Sequence, residues 1–263
     1  MVTQCTRFDR LMSNSDNRKM DMYIQNLVKK FNAKLGGVNQ FVSLMRALAS
    51  PSARSDIFMF FGIDCTHITC SRERPSIAAI IGSKDSTSVY TQCAGRVVQQ
   101  FSPKGKIALE IVKDLHILVG ELLCEFSNHN SRLPNKLVFY RAGVDDGSFQ
   151  KVLDNELRAI QRACKELYGH NQLLPQIYKK SNQTNNLQPG TAIDTDIVSP
   201  NGFDFYLNSH AAIQDDIQQL TYYLFHTDVR CTKSVSVPAP VHYATLCVSR
   251  GLNLDYEGQM ANE

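Results

Sequence analysis

The chain has 263 residues, 43% of them hydrophobic, with a formal net charge of +3 and a pI near 8.4, enough for one sizeable core or a core with a small flanking lobe. No apolar run approaches the roughly 20 residues of a membrane-spanning helix, and the N-terminus is polar and charged, so we expect neither a span nor a signal peptide, and a cytoplasmic or nuclear location. The small basic excess suits nucleic acid and many enzymes alike, so only the placement of basic residues discriminates. The eight cysteines are scattered, with Cys65 and Cys70 as the one close pair and no second pair to complete a zinc site; we expect reduced thiols.

From Asp21 to Leu35, Met22, Ile24, Leu27, Val28 and Phe31 recur at helical spacing and Gly36-Gly37 stops the run; Lys29, Lys30 and Lys34 near its end suit the negative pole of the helix dipole. Residues 38–55 read as a linker. Strands are predicted over Ile57–Ile63, Pro75–Gly82 and Val89–Ala94, each bounded by polar segments. A helix follows over Lys106–Phe126, with Glu110 and Asp114 off its apolar side, then a buried strand over Leu137–Val144 and a helix over Phe149–Leu167. After Tyr168 the pattern weakens: Gly169–Gly190 is polar, Thr191–Val198 and Phe203–Ser209 read as strands, Ile217–Thr227 and Ala239–Val248 as helices, and the tail from Gly251 as frayed.

Within this βββαβα order, an apolar run ends in an acid at Gly62-Ile63-Asp64-Cys65-Thr66-His67. Further strings are Pro75-Ser76-Ile77-Ala78-Ala79, Phe139-Tyr140-Arg141-x-Gly143-Val144, Phe203-Asp204-Phe205-Tyr206-Leu207-x-Ser209-His210 and Val229-Arg230-Cys231-Thr232-Lys233-Ser234-Val235-Ser236-Val237-Pro238-Ala239-Pro240. Together they resemble the Piwi domain of Argonaute proteins, and the likeness spans nearly the whole chain. The resemblance implies an α/β, ribonuclease H-like fold with a mixed central sheet flanked by helices. It also implies a division into residues 1–37 (end of a Mid domain), 38–55 (linker), 56–250 (Piwi domain) and 251–263 (flexible tail).

Active members of that family cut RNA paired to a guide through clustered acids that hold two divalent ions, hard cations such as Mg²⁺ that need oxygen ligands. The resemblance puts the first two acids at Asp64 and Glu110, the third at Ala142 and the fourth ligand at Thr245. A methyl group ligates nothing, so the expectation is an inactive nuclease, with metal binding at Asp64 weak or absent, no cofactor, and Mg²⁺ only with residual activity. Asp145, Asp146 and His242 are the neighbours considered as substitutes, but each projects from a different point on the backbone, and the two aspartates read as turn and cap residues before Phe149.

For guide anchoring, the resemblance implies that Gln4, Lys30, Lys34 and Arg250 hold a 5′-phosphate, while Arg230 and Lys233 meet phosphates further along. With Met1 three residues before Gln4, half of the phosphate pocket is expected to be absent and anchoring weakened. Two family strands are also expected to be lacking, after Gln176-Ile177 and after Gln214. The implied function is binding of a small guide RNA, with its complementary RNA target and silencing-effector proteins as partners, in gene silencing without cleavage. The alternatives are an RNA-guided endonuclease with substitute ligands, and an interaction fragment that binds no RNA and competes for Argonaute partners.

Overall fold

In the computed structural model, residues 3–8, 17–44, 57–66, 75–85, 92–100, 110–144, 146–169, 176–179, 192–193, 206–207 and 216–260 are described. The elements are α1 (Asn17–Lys34), β1 (Phe58–Thr66), β2 (Ser76–Ser83), β3 (Cys93–Gln100), α2 (Leu115–Asn130), β4 (Lys136–Arg141) and α3 (Asp146–Tyr168). They continue with β5 (Gln176–Lys179), β6 (Ala192–Ile193), β7 (Tyr206–Leu207), α4 (Asp216–Phe225) and α5 (Ala239–Met260).

β1 decides the layering, because successive side chains of a strand face opposite ways. Met59, Phe61 and Ile63 enter a core with Val119, Leu122 and Phe126 of α2 and Ile160 of α3, while Phe58 and Phe60 enter a second core with Leu220 and Leu224 of α4 and Val241 and Ala244 of α5. β4 repeats the division, with Leu137 and Phe139 on the first face and Val138 and Tyr140 on the second. Each of these large side chains contributes roughly 1.5–3 kcal/mol by leaving water. Phe61 and Phe139 stack at 4.3 Å between ring centroids across the two strands.

The sheet order is β3-β2-β1-β4-β5. β1 pairs antiparallel with β2 and parallel with β4, and β4 pairs parallel with β5. The mixed sheet flanked by helices is therefore the one expected, and the parallel β1–β4 pairing brings the C-terminal ends of those strands side by side. Gly62 decides what lies over them: a Cβ there would stand 2.1 Å from the Pro240 carbonyl carbon, so only glycine lets the start of α5 rest on β1.

Several boundaries differ from the sequence reading. The third strand is Cys93–Gln100, with residues 86–91 outside the described set. Its register runs from Ser83↔Cys93 to Ser76↔Gln100, and the turn closes just before it through Lys84 N–Gln92 O (2.9 Å) and Gln92 N–Asp85 Oδ2 (2.6 Å). The long helix starts at Leu115, not near Lys106. Residues 110–114 are irregular, because Asp114 takes a left-handed conformation (φ 54°) and the amides of Val112 and Lys113 bond to Glu156 and Gln100 side chains. Glu110 thus sits on a loop, and residues 101–109 lie outside the described set.

A strand expected to be lacking after α3 is present in short form, with Val138↔Gln176 through Arg141↔Lys179 in register. The other expected gap, at residues 211–215, lies outside the described residues, as do Asp145 and residues 45–56 of the linker. The last helix runs past Gly251 to Met260 instead of fraying there. The apolar stripe of α1 is uncovered among the described residues, with Ile24, Val28, Phe31 and Leu35 exposed. No described helix is long and apolar enough to cross a membrane.

Candidate nucleic-acid interface

Three of the four positions expected from the resemblance to hold metal ligands, Asp64, Ala142 and Thr245, meet at the ends of β1 and β4. Ala142 follows β4 and donates its amide to Ile63 O at 2.9 Å, and the Thr245 hydroxyl of α5 donates to Asp64 Oδ2 at 2.6 Å. Gly143, at φ 70°, passes close enough that a Cβ would lie 3.7 Å from Asp64 Oδ1. Glu110 approaches from the loop before α2, where its carbonyl accepts from Arg141 Nη2 at 2.7 Å.

Arg141 is the charge that organises this corner. Its side chain is 7% exposed and pairs at 3.2 Å with Glu156 of α3, itself 5% exposed, and it also reaches Cys65 Sγ at 3.4 Å and its neighbour Ala142 O. Burial raises Glu156 above the usual carboxylate range, with Arg141 pulling the other way; burial likewise pushes the Cys65 thiol up to about 12. Among the described residues, no three His, Cys, Asp or Glu side chains gather to hold an ion.

These donors do not fit a two-ion centre. Such a centre needs clustered oxygen anions, and here one position is a methyl and another is a hydroxyl already donating to Asp64. The proposed substitutes do not repair it: His242 turns to Asp228 at 3.2 Å, Asp146 opens α3 with its side chain undescribed, and Asp145 is outside the described residues.

The basic residues assemble at a second corner. α1 is tied to the 226–238 loop by Asn39, which donates to Lys29 O and Val229 O, and by Gln40, which donates to His226 O (2.8 Å) and Cys231 O (3.1 Å). Lys29 Nζ donates to Thr232 Oγ1 at 3.2 Å, so the Lys29–Lys30 end of α1 lies beside Arg230 and Lys233. Lys34 Nζ donates to Thr3 O at 2.6 Å, which brings in Gln4, whose side chain bonds to Cys5 O. Lys30, Lys34 and Lys233 are exposed. Arg250 is exposed on α5, and no hydrogen bond among the described residues joins it to α1 or the loop.

Arg230 is engaged with Asp228, whose side chain is 1% exposed, through Nε (3.3 Å) and Nη2 (3.1 Å). Burial opposes ionisation of Asp228, but hydrogen bonds from His242 and Arg230 outweigh it and hold the carboxyl well below the usual range. Sequence reasoning missed Asp228, Glu156, Asn39 and Gln40. Glu156 had a legible signal, an acid on the apolar line Val152–Glu156–Ile160 of α3, which only a buried partner would satisfy; the others had none.

The Piwi domain family model matches residues 1–255. The structure is similar to the C-terminal lobe of a budding yeast Argonaute (TM-score 0.75, 27% identity, 94% of this chain and 56% of that one). It is also similar to Kluyveromyces polysporus Argonaute, solved with a guide RNA (TM-score 0.70, 25% identity, 94% and 32%). The fold extends to Drosophila Piwi (TM-score 0.61, 21% identity, 88% and 33%). The chain thus spans between about a third and just over half of the length of these relatives. With the mixed sheet flanked by helices shared with these Argonaute structures and the family model matched over residues 1–255, the chain belongs to the Piwi domain family.

Proposed function

We propose that this Piwi domain binds a small guide RNA in RNA-mediated gene silencing and does not cut the paired target. The observation that carries the reading is the docking of α1 on the 226–238 loop, where Lys29 bonds to Thr232 next to the exposed Lys233, on the helix that also carries the exposed Lys30 and Lys34. Concentrated cations suit phosphates, and contacts of this kind position a strand without reading its bases. A relative solved with a guide RNA supports the ligand class. Silencing then depends on recruited effector proteins in the cytoplasm or nucleus, because Ala142 and the Thr245–Asp64 hydrogen bond leave the donors unsuited to two ions.

The test is fluorescence anisotropy with single-stranded RNA carrying a 5′-phosphate or a 5′-hydroxyl. Tighter binding of the phosphorylated strand, lost in Lys30→Ala/Lys34→Ala, is expected; equal binding of both strands overturns the anchor. A parallel incubation with matched target and Mg²⁺ is expected to leave the target whole, and cleavage abolished by Asp64→Ala would overturn the non-cleaving assignment.

A further inference from the structure

Asp228, Arg230 and His242 make contacts that no single protonation state of the imidazole satisfies. Arg230 Nη2 stands 2.6 Å from His242 Nε2, and a guanidinium can only donate, so that contact needs a bare Nε2. The same Nε2 stands 3.2 Å from Asp228 Oδ2, an acceptor, so that contact needs a proton on Nε2. One nitrogen faces a donor and an acceptor, and its proton decides which it serves.

We propose that Asp228 and His242 are positioning residues for Arg230, setting whether its guanidinium is held on Asp228 or presented to an RNA phosphate. With His242 neutral and its proton on Nδ1, Nε2 accepts from Arg230 and helps to keep the guanidinium against Asp228. When the imidazole gains a second proton from solvent, Nε2–H donates to Asp228, two cations face each other, and Arg230 turns outward. The side chain is already 31% exposed, so the movement is short. The phosphate in this scheme rests on the guide-RNA reading and adds a regulation to it.

The groups set against the imidazole are Asp228 and Arg230 of the loop and Tyr243 of α5, with Cys93 of β3 acting electrostatically with Asp228. Asp85 and Lys84 also act electrostatically on Cys93. Burial raises the Tyr243 hydroxyl and the Cys93 thiol, so neither ionises near neutrality. His226 packs edge-on against Tyr222 at 5.0 Å, facing another neighbour. His242 is the group in contact with Arg230 whose side-chain type changes charge between about pH 5 and 8.

The experiment follows the Arg230 Nε–H and His242 ring resonances by NMR, with anisotropy of a short 5′-phosphorylated single strand, from about pH 8 to about pH 5.5. In the wild type the Arg230 signal is expected to move with the His242 titration. RNA affinity should rise by up to about fivefold beyond any rise in His242→Gln, the weight of one partly exposed ion pair. His242→Gln keeps a polar side chain that cannot titrate. Asp228→Asn, which retains the acceptor for the Arg230 amide, should bind at about pH 8 as tightly as the wild type at about pH 5.5, with this increment gone.

An Arg230 signal that ignores the His242 titration overturns the proposal. So does an equal pH dependence of binding in the wild type and His242→Gln. An Arg230 signal that tracks His242 in protein that binds no RNA at any pH supports the positioning and overturns the guide-RNA reading instead.

Discussion

Thr245 ties two elements together through a single hydroxyl. Its hydroxyl links α5 to the end of β1 through Asp64, and Thr245→Val should lower stability by about 0.5–1.5 kcal/mol in chemical denaturation. Introducing acids with Ala142→Asp and Thr245→Asp adds negative charge beside Asp64, and calorimetry with Mg²⁺ should show binding stronger than in the wild type. Asp228 has the opposite pH behaviour to a buried base. Its folded pKa is depressed below 3.8, so its contribution to stability is fully present above that value and is lost as pH falls toward the depressed one. Asp228→Asn should therefore be less stable than the wild type at neutral pH, with the gap closing in acid unfolding curves below about pH 4.

Elements meet here through a few close approaches. Gly62→Ala would force a methyl to within 2.1 Å of the Pro240 backbone. Overpacking of this kind costs typically 1–3 kcal/mol, and the urea midpoint should fall accordingly. Asn39→Ala removes the donor to both Lys29 O and Val229 O. Hydrogen exchange should then quicken in α1 while β1 and β2 keep their protection. Most elements were legible because their apolar periods are strong: β1, β2, β4 and α3 lie close to where alternation or helical spacing put them. β3 was displaced because Arg96-Val97-Val98-Gln99 reads as an amphipathic edge, weaker to the eye than Val89-Tyr90. α2 was overextended because Ile111 and Val112 continue its period, while the left-handed Asp114 and the bond from the Val112 amide to Glu156 break the helix.

For the whole molecule, a net charge of +3 conceals a local concentration of cations where α1 meets the 226–238 loop. Single-strand affinity should fall with salt by roughly 0.7 log units per log unit for each phosphate neutralised, so Lys30→Ala/Lys34→Ala should flatten the slope by about 1.4. The amino-acid sequence by itself determined the family, the mixed sheet flanked by helices, and the identities of Ala142 and Thr245, because strings, hydrophobic periods and residue identities are local properties. The tertiary structure decided that Thr245 bonds to Asp64, that Arg141 is buried against Glu156, and that His242 faces Arg230 and Asp228 at once. Those contacts depend on the close approach of α5 to β1 at Gly62 and the parallel pairing of β1 with β4. Partners so far apart in the chain leave no periodic trace.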